Sequence, residues 1–162
     1  VTKVAMPPKL PLPMRLLVLT ASRQPATEEQ LAMLQAKGVP VLEEPFPHLP
    51  LLPEAPIIAM RWRLPDEGWK PALLRRQMVA RLRWWLPKTK VEALVLVGGF
   101  MARTALEALG ICQWQLWGSL LPGVPCGVAQ NREGQQWVVV TKAGGFGTPQ
   151  TLWQLLALLG SH

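Results

Sequence analysis

Three short apolar runs constrain this chain more than any other feature: MRLLVLT over residues 14–20, ALVLV over 93–97 and WVVV over 137–140. Each is too short for a helix. None alternates apolar with polar residues, as a strand with one wet face would, so each is expected to be a strand covered on both faces. Helical patterns between the runs supply the covering layers. The predicted fold is therefore α/β, a mainly parallel sheet with helices on both faces in three layers. A chain of 162 residues has room for one such domain, and 49% hydrophobic against 17% charged residues gives it a core to bury.

Along the chain, Thr27 with Gln30 three residues later reads as a capping box, and Leu31, Ala32 and Leu34 extend a helix to Gly38. Val41 and Leu42 suggest a second strand. Seventeen prolines, about a tenth of the residues against a usual share of about 5%, exclude long uninterrupted helices. They concentrate in residues 1–13, read as a Pro-rich linker ahead of a domain over 14–160, and in residues 40–56, where no helix or central strand is expected. A strand follows over 57–62. Residues 70–86 form the longest helical pattern, with Leu74, Met78, Leu82 and Trp85 or Leu86 on one side and Arg75, Arg76, Arg81 and Arg83 mostly on the other, ending at Pro87. Further helices are expected over 102–109 and 151–159, with a short strand over 114–117.

Seventeen Lys and Arg against ten Asp and Glu leave a net charge of +7 and favour an anionic partner. The arginine-rich helix beside Trp84 and Trp85 could present a nucleic-acid patch, but a charged helical face is more often simply solvated, and nucleic acid is not the expected partner. Cys112 and Cys126 are too far apart for a redox pair and too few for a zinc site, so they read as free thiols in a reducing compartment. No apolar run reaches a membrane span, and prolines at 7, 8, 11 and 13 break any signal-peptide core, so a cytoplasmic protein is expected. The first residue, Val, suggests a chain cut from something longer. His48 and His162 stand alone, and adjacent Glu43 and Glu44 would face opposite ways on a strand, so no catalytic pair or metal site emerges.

In open parallel sheets ligands bind beyond the carboxyl ends of strands. Three loops there carry small or hydroxyl-bearing residues: residues 20–27 with Ser22, Gly98-Gly99, and residues 142–147 with Lys142, Gly144 and Gly145. Glycines let a backbone approach phosphate, and a lysine adds a point charge. Each loop alone is also what an ordinary tight turn uses, and none is a Walker A or GxGxxG motif.

Taken in order, MRLLVLTASRQPATEEQLAML, ALVLVGGFMARTALEALG, LLPGVPCGV and WVVVTKAGGFGTPQTL resemble the C-terminal nucleotide-binding domain of the four-carbon acid sugar kinases, over residues 14–159. PGVPCGV and KAGGFG are the most specific parts. The resemblance implies an ATP-dependent kinase of threonate- or erythronate-type acids, in which an N-terminal sugar-binding domain, in the same or a neighbouring chain, closes over this one. It implies nucleotide contacts at Ser22, at Gly98, Gly99, Phe100 and Met101, and at Lys142, Gly144 and Gly145, with Gly144 foremost. Two departures matter. Ala21 stands where the family usually has Gly, and Phe100 and Met101 replace an acidic residue and a Thr, so no side-chain oxygen remains there for Mg2+. The lone domain is expected to have no kinase turnover. The alternative is a non-catalytic interaction module, which has lost the nucleotide site and binds a protein through a Trp-rich surface. A second copy of the chain is a further candidate partner.

Overall fold

The computed structural model describes residues 15–46, 48–65, 68 and 70–160, so the expected linker over 1–13 and His162 lie outside the described residues. A seven-stranded sheet runs in the order β2-β3-β1-β4-β7-β6-β5. Its strands are β1 (Leu16–Thr20), β2 (Val41–Pro45), β3 (Ile57–Arg63), β4 (Ala93–Val97), β5 (Ile111–Leu121), β6 (Val124–Asn131) and β7 (Gln136–Lys142). The helices are α1 (Pro25–Ala36), α2 (Pro71–Thr89), α3 (Gly99–Ala108) and α4 (Thr151–Gly160).

The three apolar runs are the three middle strands. β1, β4 and β7 pair in parallel, with Val18 opposite Val95 and Val95 opposite Val140. Side chains alternate across the sheet. Leu17, Leu19, Leu94 and Leu96 join a core with Met78, Leu82 and Leu86 of α2 and Met101 and Ala105 of α3. Leu16, Val18, Val95 and Val97 join the opposite core with Leu31 and Leu34 of α1 and Leu152, Leu155 and Leu156 of α4. Each fully buried leucine contributes about 2 kcal/mol through removal of apolar surface from water. The expected three-layer arrangement is therefore present.

Several local expectations are corrected. Helix α1 starts at Pro25, its cap is Gln24, and no side chain caps it. Thr27 and Gln30 are buried on the same side of the helix as Leu31 and Leu34, so they serve the neighbouring loop instead of a capping box. Helix α2 passes through Pro87 to Thr89, because a proline in the last turn removes one hydrogen bond without preventing the turn from closing. Its stop is Lys90, held at φ 56. α3 begins at Gly99, three residues earlier than its apolar pattern suggests.

The largest difference lies at the far edge, where β5 is longer than expected and β6, an unexpected strand, lies antiparallel to both its neighbours. A two-residue turn, Pro122-Gly123, joins them, with Gly123 at φ 80 as a proline-led turn requires. PGVPCGV carries proline and glycines that weaken any strand signal. Gly127 is needed because a β-carbon there would collide with the Gln115 carbonyl beside a register irregularity. At the opposite edge, β2 tolerates Pro45 because only one of its sides is paired.

Candidate functional site

Because β1, β4 and β7 lie side by side, their carboxyl ends present three consecutive loops on one rim of the sheet. α1 leaves β1 toward one face and α3 leaves β4 toward the other. A crevice at such a reversal is where open α/β sheets bind ligands. The antiparallel register, with Cys126 opposite Val140, brings the Pro122-Gly123 turn to the same rim.

Hydrogen bonds tie the loops together. Thr20 Oγ1 donates to the Val97 carbonyl at 3.0 Å and accepts from Ser22 N at 3.0 Å, which joins the first loop to the end of β4. Gly98 N donates to the Lys142 carbonyl at 2.8 Å and joins the second loop to the third. Thr27 Oγ1 donates to the Gly144 carbonyl at 2.8 Å and lies 3.0 Å from Ser22 Oγ. Gln30 Nε2 donates to the carbonyls of Phe146 and Thr148 at 2.9 and 3.0 Å. Neither Thr27 nor Gln30 stood out as a site residue. Their signal was spacing: 27, 30, 31 and 34 form a helical core stripe, and two of the four are polar.

Ser22, Gly98 and Gly144 converge. A β-carbon on Gly144 would fall on Ser22 Oγ, so only glycine allows the loops to approach this closely. Gly98, at φ 93, would bring its β-carbon 3.7 Å from Ser22 Cβ. Gly145 lies beside the Gln24 side chain, whereas Gly99 faces open space. Phe100 is half-buried against the core, and Met101 is wholly inside it. What this segment offers is backbone: the first intrahelical bond is from Ala102 N to the Gly98 carbonyl, so the N–H groups of Gly99, Phe100 and Met101 lack helical partners.

Lys142 ends β7 under these loops and is only 3% exposed. Its Nζ donates to the Ala143 carbonyl at 2.6 Å and lies 5.9 Å from the Phe146 ring. Among the described residues no carboxylate pairs with it. Burial lowers its pKa to about 8, so at neutral pH Lys142 is a desolvated ammonium with one carbonyl acceptor, and its backbone carbonyl is held by Gly98 N at the start of the second loop. That combination favours a phosphate-like anion.

The family model described as a nucleotide-binding C-terminal domain matches residues 71–152, just over half of the chain. A D-threonate kinase from Salmonella typhimurium is 34% identical over 95 residues. The chain belongs to the four-carbon acid sugar kinase family, as a C-terminal nucleotide-binding domain. The match covers 54% of this kinase-family domain and 22% of the Salmonella enzyme, so the chain spans only part of that relative. Two solved structures share the fold. A domain of unknown function from Bordetella bronchiseptica, crystallised with citrate as a domain-swapped dimer, superposes with a TM-score of 0.73 at 22% identity, over 90% of this chain and 41% of that one. A Haemophilus influenzae protein gives 0.63 at 15% identity, over 97% and 42%.

The other candidates fit this kinase-family domain less well. Trp85 is buried and Arg75 is engaged with Glu107, so α2 presents Trp84 alone and not the paired rings of a nucleic-acid patch, with Arg76, Arg81 and Arg83 on its exposed side. Trp62 and Trp137 are also buried, which takes them out of a Trp-rich docking surface. Among the described residues no helix is long and apolar enough to cross a membrane.

Proposed function

We propose that this domain holds the phosphates of ATP across the loops at Ser22, Gly98-Gly99 and Lys142 to Gly145, and that it acts as the nucleotide half of a kinase for threonate- or erythronate-type acids in the cytoplasm. The observation that carries this reading is the convergence of Ser22, Gly98 and Gly144, in loops one of which opens on the buried Lys142, a lysine with no carboxylate partner among the described residues. Bound ATP supplies the phosphoryl group. Ser22 offers a hydroxyl, the start of α3 offers N–H donors, and Lys142 offers the charge; the tight loop contacts hold all three in place without reorganisation. The acceptor acid and the base that activates its hydroxyl belong to an N-terminal domain in the same or a neighbouring chain. A homodimer is also part of the proposal, supported by the domain-swapped Bordetella relative.

Magnesium does not fit the second loop, because Phe100 and Met101 provide no oxygen ligand and the described residues contain no group of His, Cys, Asp or Glu able to hold a metal ion. ATP fits on the donors just described. A thermal-unfolding titration with ADP and ATP, with and without Mg2+, tests the reading. Nucleotide at about 100 times its dissociation constant stabilises the fold by roughly 2.7 kcal/mol. No shift at 10 mM of either nucleotide, under any metal condition, refutes it and favours the interaction module.

A further inference from the structure

The two edges of the sheet are built differently. β2, at one edge, carries Glu43, Glu44 and Pro45, the charges and proline that keep an exposed strand from pairing with another chain. β5, at the other edge, has none of these devices. Its sequence, ICQWQLWGSLL, contains no Asp, Glu, Lys, Arg or Pro, and the uncharged stretch extends over residues 108–131, although 17% of the chain is charged. Among the described residues β5 pairs only with β6, so the backbone N–H and C=O groups on its outer side have no strand partner. The side chains along that open edge are apolar or neutral. Leu116 is 39% exposed, Trp114 and Trp117 are half-buried, and Gln113 and Gln115 are exposed. Register irregularities lie on both sides of residues 113–116, which form the regular part of the strand. An open, uncharged edge of this kind is a template for pairing.

We propose that β5 pairs antiparallel with β5 of a second copy of the chain, joining two sheets into one across a two-fold axis at Gln115. Two observations make a second copy the occupant. An antiparallel strand pair is its own mate under a two-fold rotation, so a single open edge supplies both sides of the joint. Two chains of net charge +7 repel where their charged surfaces meet, and residues 108–131 let them meet without a charge. With Gln115 on the axis, Trp114 of each copy lies opposite Leu116 of the other on the same face of the joined sheet, an aromatic–aliphatic pair across the new ladder. Assembly stops at two, because the edges then left open are the β2 strands with their glutamates and proline. This inference rests on the homodimer proposed above, whose surface it names, and is independent of nucleotide.

Sedimentation equilibrium of the chain from about 1 to 200 μM, with amide hydrogen exchange at both ends of that range, tests the proposal. The expected result is a dimer whose amides over residues 113–116 exchange more slowly at the higher concentration. Gln115→Lys and Leu116→Lys should each raise the dimer dissociation constant about tenfold or more, since each sets like charges across the axis, while circular dichroism stays unchanged. Glu29→Gln, on the exposed side of α1, adds the same unit of charge elsewhere and should leave the dimer intact. Should the lysine variants misfold, the exchange measurement on the parent chain decides. A monomer at every concentration overturns both this inference and the homodimer. A dimer whose exchange over 113–116 ignores concentration, or that both lysine variants retain, overturns this inference alone and places the homodimer on another surface. Equal weakening by Glu29→Gln also overturns it, because net repulsion then accounts for the lysine effects.

Discussion

Lys142→Met removes a charge from a place where the fold pays to keep one. Lys142 is 3% exposed as a residue, and the pKa of its amine falls from 10.5 to about 8. At roughly 1.36 kcal/mol per pKa unit, that fall corresponds to about 3 kcal/mol of penalty on the charged form. Below pH 8 the amine is protonated whether the chain is folded or unfolded, so the folded state bears the whole penalty. Between about pH 8 and 10.5 the folded amine is neutral while the unfolded chain still holds its proton, and the parent protein therefore gains stability as pH rises through this window. Methionine keeps an unbranched stem without the charge, and it forfeits the bond to the Ala143 carbonyl, worth about 1 kcal/mol. The variant should be more stable than the parent by about 2 kcal/mol at pH 7, a rise in Tm of roughly 4–8 °C for a domain of this size. The advantage should shrink above pH 8 and reverse by about pH 10.5. Urea unfolding of both proteins at half-unit steps from pH 7 to 10.5 measures it. A variant less stable at pH 7, or a difference that does not change with pH, refutes the account of Lys142 as a strained, desolvated cation.

Other perturbations separate the parts of the site. ADP affinity in the parent chain should fall as pH rises through about 8, since the proposed phosphate partner loses its proton there, and calorimetry across pH 7–9.5 reads this directly. Gly144→Ala should abolish detectable ADP binding and lower stability by about 1–3 kcal/mol, because its β-carbon must displace Ser22; unfolding midpoints and a nucleotide titration check both effects. Gly99→Ala meets nothing in the protein, so stability should be unchanged or slightly higher, yet the added methyl group should weaken ADP severalfold if phosphate approaches there. Thr27→Val leaves the Gly144 carbonyl without its donor and should cost about 1–3 kcal/mol in chemical denaturation.

The middle of this fold was legible because each strand carries its own evidence. Five or so consecutive apolar residues, as in ALVLV, bury on both faces wherever they lie, and the helices that cover them show the matching stripe. The three loops of the candidate site follow directly from those strands, so Ser22, Gly98, Lys142 and Gly144 could be singled out before any tertiary contact was known. The antiparallel edge was not legible in this way. PGVPCGV has a poor strand composition, and β6 exists because β5 and β7 flank it and a glycine at 127 lets β5 come close.

The roles of Thr27 and Gln30 show the same division. Local spacing supports a capping box, and burial of the helix against the sheet turns both side chains toward carbonyls more than 110 residues away in the chain. Arg61 is another case: as one residue of IIAMRWR it signals only an interruption of a strand, and its meaning depends on Glu28 and Glu43, which reach it from other elements. Period and composition set the layers, the strand ends and the glycine loops, because these depend on neighbours in sequence. Packing set which loops touch, how far Lys142 is desolvated and where the arginines gather, because hydrogen bonding and charge burial depend on residues brought together across the sheet.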